Sequence, residues 1–299
     1  VIETFDAVLP HGITLSCRAS GPRDAPAIVF LHGFPEGAFV WDGLLRHFGD
    51  RYRCIAPNLR GYERSSAPAE VDAYRAKHLV ADLLALIAQQ CSGPLAALVA
   101  HDWGGAVAWN FAVQHPQALQ RLVIVNSPHP GVFLKALQTD PRQQAASAYM
   151  NVWSRPQAEA ELEAGDFARL WAVFAHMSAE DPSRPGGWLT PAVKDQYRAV
   201  WRHGLTGALN YYRASPLRPP TGPDSPVLAL QFPPEFVTVR VPTQVVWGEG
   251  DVALPASLLD GLDRYVPKLT LTRVPGATHW IVHELPALVA GEIEKALAR

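Results

Sequence analysis

Asp102 stands at the tip of LVAHDWGGAVAW (98–109), which reads as a strand, a tight turn and the start of a helix. Ala100 lies two before it, and Gly104 and Gly105 follow, so small neighbours leave the tip side chain room to project. Ala100 stands where turns of this kind usually carry glycine. A carboxylate at that tip, with an ordinary pKa of about 3.9, is already an anion at neutral pH. It can attack without a base to deprotonate it. The plainer reading is that Asp102 caps the following helix. Two more residues weigh against that reading. Asp251 follows a strand-like run and WGEG, and His279 follows another and PGAT. Nucleophile, acid and histidine in this chain order form the sequence of a hydrolytic triad.

Eleven histidines occur, so position matters more than type. Only His279 falls in a loop after the last strand run. His32 and His101 adjoin other motif residues and read as structural, and His283, the nearest rival, reads as opening the final helix. HGFPE (32–36) supplies a turn shaped by Gly33 and Pro35, with a Phe34–Pro35 bond suited to the cis form. The backbone N–H groups of Phe34 and Trp103 can then converge on one spot as an oxyanion hole. A simple loop is the competing explanation, since Gly- and Pro-rich turns are common.

These residues need a scaffold. Residues 1–18 read as two strands joined by LPHGI. AIVFLHG, RCIAPNLRG, PLAALVA, RLVIVNSP, TQVVWGEGD and LTLTRV supply further strand runs, several of them continuously apolar. Residues 72–90 carry Leu79, Val80, Leu83, Leu84 and Ile87 at helical spacing, and ELPALVAGEIEKALA reads as a closing helix. Alternating strands and helices imply an α/β fold with a mostly parallel sheet and helices on both faces. Ligands bind such sheets beyond the carboxyl ends of the strands, where Asp102, Asp251 and His279 all fall. Residues 129–240 differ in texture. They are helical, rich in Trp, Tyr and Ala, and return through eight prolines between Pro216 and Pro242. We read 1–128 with 241–299 as the core and 129–240 as an inserted helical cap with a proline-rich return.

Composition narrows the function. The chain has 299 residues, 48% hydrophobic, with net charge -2. That suffices for a large core and offers no polybasic surface for nucleic acid or anionic lipid. No apolar run is long enough to span a bilayer. Three scattered cysteines, Cys17, Cys54 and Cys91, make neither a zinc pattern nor a disulfide framework and fit a reducing cytoplasm. Residues 1–20 lack a signal pattern, although a chain that starts at Val1 leaves a removed leader open.

HGFPE, HDWGG, VVWGEGD and GATHW, in that order, resemble the soluble epoxide hydrolases of the α/β-hydrolase fold. The resemblance covers nearly the whole chain and is looser in the cap. It implies Asp102 as nucleophile, His279 as base and Asp251 as its orienting carboxylate. It also implies two cap tyrosines that hold the epoxide oxygen. NYYRAS (210–215) resembles the motif of one and points to Tyr212; Tyr149, in SAYMNVW, stands at the spacing of the other, and Tyr197 is the reserve. Packing is the alternative role for a tyrosine among helices. The implied reaction converts an apolar epoxide to a vicinal diol through an ester on Asp102, with water as co-substrate and no metal or organic cofactor. A homodimer is compatible with this reading.

Two rivals remain. A haloalkane dehalogenase uses the same aspartate logic, and the Trp103 indole can donate to halide; its usual second donor, an Asn, is replaced here by Phe34. A fluoroacetate-type enzyme would want arginines after the nucleophile, where Trp103 and Ala106 stand. The second rival is a non-catalytic binding protein on the same fold. Trp153, Trp171, Phe174, Trp188 and Trp201 suggest an apolar pocket, and core packing explains them equally.

Overall fold

The computed structural model describes residues 1–299. The strand runs become β1 (Glu3–Val8), β2 (Thr14–Ser20), β3 (Ala27–Leu31), β4 (Arg53–Pro57), β5 (Ala97–His101), β6 (Leu122–Val125), β7 (Thr243–Gly248) and β8 (Leu269–Val274). They form one sheet in the order β1-β2-β4-β3-β5-β6-β7-β8. Only β1–β2 and β2–β4 pair antiparallel; every later pair is parallel. β3 through β7 are buried at every residue, as strands covered on both faces must be. Side chains alternate across the sheet. Val29, Leu31, Leu98 and Ile124 enter one apolar cluster, and Ile28, Phe30, Val99 and Val123 the other.

Helices α1 (Asp42–Phe48), α2 (Ala76–Gln90) and α3 (Asp102–Gln114) belong to the sheet layers, together with the two helices Ile281–Glu284 and Pro286–Leu297 at the carboxyl end. α2 buries Leu79, Val80, Leu83, Leu86 and Ile87, whereas Leu84, counted in the apolar set from its spacing, faces outward. Its start differs from the expected continuous helix over 72–90. Val71–Tyr74 is a 3₁₀ turn, and Arg75 is extended (ψ 147), which breaks the ladder. The break lets Tyr74 turn inward, where its hydroxyl donates to Pro68 O and its ring meets Tyr211.

Between β6 and β7 the chain forms α4 (Pro130–Thr139), α5 (Pro141–Ala146), α6 (Ala148–Trp153), α7 (Ala158–His176), α8 (Pro191–Trp201) and α9 (Thr206–Ala214), and no strand. Local signals set their starts. Thr190 accepts the Val193 N–H and Asp140 the Arg142 N–H, each followed by proline in the first turn. α7 is interrupted by three left-handed residues, Gly165, Asp166 and Phe167, which turn the Phe167 ring onto Trp201. The proline-rich return holds only two 3₁₀ turns, Pro226–Leu228 and Pro234–Phe236.

The closing helix is also divided. α10 (Ile281–Glu284) precedes α11 (Pro286–Leu297), and Leu285 between them leaves the helical region (φ -133, ψ 56). A residue before proline disfavours helix, which explains the break. His283 therefore lies in α10 and does not open the final helix.

Candidate active site

The end of β5 passes into α3 without a linker, and Asp102 takes a left-handed conformation (φ 50) at the junction. Such a backbone is costly for a residue with a side chain and is found where surroundings over-determine it. Gly104 packs against the carbonyls of β3: a Cβ there would lie 2.5 Å from Leu31 O. At Gly33 a Cβ would lie 2.3 Å from the Asp102 carboxylate. The glycines thus let the HGFPE loop close over the acid. The Phe34–Pro35 bond is cis, and the Phe34 N–H donates to Asp102 Oδ1 at 2.8 Å. Trp103 is the second residue of α3, where a helix leaves its N–H without an intrahelical acceptor. The Ser127 hydroxyl, at the end of the β6 run, donates to the Asp102 carbonyl at 2.6 Å.

Asp251 and His279 arrive from the loops after β7 and β8. His279 Nδ1 lies 2.6 Å from Asp251 Oδ2, and its Nε2 lies 3.8 Å from Asp102 Oδ2. Asp251 Oδ1 accepts the N–H groups of Ala253 and Leu254 at 3.0 and 2.9 Å. Burial lowers the pKa of His279. The charge and hydrogen bond of Asp251, with the charge of Asp102, outweigh it and raise the value to about 9.

Tyr149 on α6 and Tyr212 on α9 face Asp102 across one cavity of about 580 Å³. Their rings are 6.2 Å apart, and the Tyr212 ring stands edge-on to Trp103 (5.0 Å) and Phe34 (5.3 Å). Burial pushes both phenols up, and the Asp102 charge adds to it. Both stay protonated well beyond neutral pH. The walls are mainly apolar; Asp102, Arg75 and Lys77 are the charged side chains along them. Tyr197 does not reach the cavity: its hydroxyl donates to Glu36 Oε1 at 2.9 Å. Tyr211 is tied by its hydroxyl to Arg60 O at 2.9 Å.

Trp153, Trp171, Phe174, Trp188 and Trp201 do not line this cavity, whereas Phe133 and Phe232 do. Trp171, Phe174 and Trp201 pack on one another and on Tyr197, Phe174 also meets Trp280, and Trp188 stacks on His283. Trp153 sits behind the tyrosines, against Phe34, Tyr149 and Tyr212.

His32, His101 and His283, the histidines beside the motifs, have structural partners. His32 donates from Nδ1 to Gly33 O and accepts the Leu59 N–H at Nε2, and burial lowers its pKa to about 4. His101 bridges Glu36 Oε2 (3.1 Å) and the His279 carbonyl (2.9 Å). Sequence reasoning left Glu36 without a role. It is fully buried and also takes His283 Nε2. Burial opposes its charge, but His283 and His101 hold its carboxyl well below the usual range. Asn126 was likewise unremarked, although it ends the run RLVIVN just where a parallel strand delivers functional groups.

A mostly parallel sheet, a carboxylate at a strand-to-helix turn and an acid–histidine pair after β7 and β8 define the class. The chain belongs to the α/β-hydrolase fold family, whose profile matches residues 26–286. It is 36% identical to the AB hydrolase superfamily protein YfhM of Bacillus subtilis (strain 168), over 93% of this chain and 92% of that one. It is 32% identical to epoxide hydrolase 3 of Mus musculus, over 93% of this chain and 72% of the relative. Among solved structures, the Bacillus megaterium epoxide hydrolase in complex with an inhibitor superposes with a TM-score of 0.89. That match has 29% identity and covers 99% and 100% of the two chains. No helix is long and apolar enough to cross a membrane.

Proposed function

We propose that this protein is an epoxide hydrolase, converting an apolar epoxide and water to a vicinal diol through an ester on Asp102. The observation that carries the reading is the opposition of two kinds of group across one cavity. An anionic carboxylate backed by His279 lies on the core side, and two protonated phenols lie on the other. A saturated carbon offers no carbonyl to add to, so the first bond must form by displacement, and the leaving oxygen needs a proton donor.

Asp102 Oδ1 is engaged by the Phe34 N–H, which leaves Oδ2 to bond to an epoxide carbon. The carbon–oxygen bond breaks as that one forms, and the ring oxygen takes a proton from Tyr149 or Tyr212. Negative charge leaves Asp102 in this step, which removes one cause of the phenols' raised pKa and makes them better acids as the reaction proceeds. The same loss acts on His279. Its raised pKa rests partly on the Asp102 charge, so ester formation lets it release its proton to solvent and become a base, and it takes a proton back once the Asp102 carboxylate is restored.

His279 then takes a proton from water as the water oxygen bonds to Cγ of Asp102. The oxyanion develops on Oδ1, against the N–H groups of Phe34 and Trp103; losing one such donor typically costs ~2.7–4 kcal/mol. Collapse expels the second diol oxygen, which is the original Oδ2, with a proton from His279. The regenerated carboxylic acid returns its proton to the tyrosinate. A cavity of about 580 Å³ falls in the range of small-molecule sites, and its apolar walls suit the body of such a substrate.

His279→Gln tests the reading. The variant should form the ester and hold it, seen as the mass of the epoxide on the peptide containing Asp102, with turnover reduced at least ~10³-fold. Normal turnover without an adduct removes His279 as the base.

A further inference from the structure

Asn126 directly follows β6 in a left-handed conformation (φ 38) and is completely buried. Its Oδ1 accepts the Gly248 N–H at 2.8 Å. Its Nδ2 donates to Gly248 O at 3.2 Å and to Asp251 Oδ2 at 2.9 Å. That same Oδ2 accepts His279 Nδ1. One amide therefore ties the ends of β6 and β7 to the Asp251 carboxylate. With the Ala253 and Leu254 N–H groups, Asp251 has four hydrogen-bonding partners, of which His279 is one.

We infer that Asn126 is a positioning residue for the hydrolytic half-reaction: it aligns Asp251 with His279 and shares the carboxylate's charge, so that His279 can give up its proton. This rests on the reaction proposed above. The residue type fits the task closely. The left-handed backbone at 126 favours Gly, Asn or Asp. Glycine would make none of the three bonds. Aspartate would set a second carboxylate against Asp251 and could not donate when ionised. Only asparagine meets the backbone and all three partners.

The direction of the effect follows from charge. A donor on a carboxylate stabilises its ionised form and weakens its pull on a neighbouring proton. Without the amide, Asp251 holds the His279 proton more tightly. The other titratable groups facing His279 are Asp102, His101 and Glu36. Of the groups facing His279, Asn126 hydrogen-bonds to Asp251 alone.

Rapid-quench kinetics with an aryl epoxide separates the two half-reactions. In Asn126→Gly, which keeps the backbone and deletes the amide, ester formation should stay within about threefold of the parent. Ester hydrolysis should slow about tenfold, so that the ester accumulates. The acid limb of the hydrolysis rate should move to higher pH. Asn126→Asp, which keeps the size and the left-handed preference, should move it further because it adds charge beside Asp251. A purely structural role would slow both half-reactions together and leave the limb in place; that outcome in either folded variant overturns the inference. Absence of any ester in the parent enzyme overturns the epoxide reading itself, and this inference with it.

Discussion

The strand-end loops and the inserted helices face the same cavity but are held by different forces. On the core side, Asp102 and Asn126 sit in left-handed backbone, and each carboxylate oxygen of Asp251 has two hydrogen-bonding partners. On the other side, Tyr149 and Tyr212 are placed by ring packing against Trp153, Phe34 and Trp103. The difference follows the chemistry asked of each. A charge must be kept from collapsing onto its neighbours, which takes directional bonds and tolerates strain. A neutral phenol needs only the correct position, which apolar contact supplies.

The largest expected effect strikes the charged side. Asp102→Gly should lower diol formation at least ~10⁴-fold while leaving stability unchanged or raised, since glycine accepts the left-handed turn. Calorimetry beside an activity assay checks both; a large loss of stability would mean that bonding, not strain, dominates there. Next comes the packed side. Phe174→Ala deletes a ring that is wholly buried but does not line the cavity. It should cost about 3–5 kcal/mol in denaturant unfolding. The folded fraction should open the epoxide within a few-fold of the parent rate. A collapse of activity in folded protein would show that the two sides are not separable.

A pH experiment sharpens the contrast. The pKa of His279 in the folded chain, about 9, lies above its ordinary 6.5. It therefore contributes stability that is complete below pH 6.5 and is lost as pH rises through about 9, on the order of 3 kcal/mol by linkage. Unfolding measured at pH 6 and pH 10 reads the difference. In Asp102→Asn the difference should shrink, because the Asp102 charge is one of its causes. The smallest effect belongs to a single phenol. Tyr212→Phe should slow ring opening about 10- to 100-fold, with Tyr149 still donating, and leave ester hydrolysis unchanged. An unaltered first step removes Tyr212 from the mechanism.

Much of this arrangement was legible in the chain itself, unevenly. Buried strands announce themselves as continuous apolar runs, so the order of the sheet elements and the positions of Asp102, Asp251 and His279 after strand ends follow from local pattern. The same patterns blur where a single residue leaves the helix. Arg75 divides the expected helix over 72–90, and Leu285, set before Pro286, divides the closing one. The aromatic residues of the insertion were ambiguous for a different reason. Spacing on a helix shows that a ring is buried, not whether it meets a cavity or other rings. Trp171, Phe174 and Trp201 meet other rings.

The sequence by itself determined what short stretches determine: strand, turn and helix around 98–109, the glycines that admit an acid at its tip, and the residue types available for displacement and hydrolysis. Tertiary structure alone decided the partnerships. Glu36 meets His283, Asn126 meets Asp251, and Tyr149 meets Tyr212 across segments far apart in the chain. The physical reason is range. Backbone preference and apolar periodicity act over a few residues, whereas a hydrogen bond between two loops exists only once the whole sheet has set their distance.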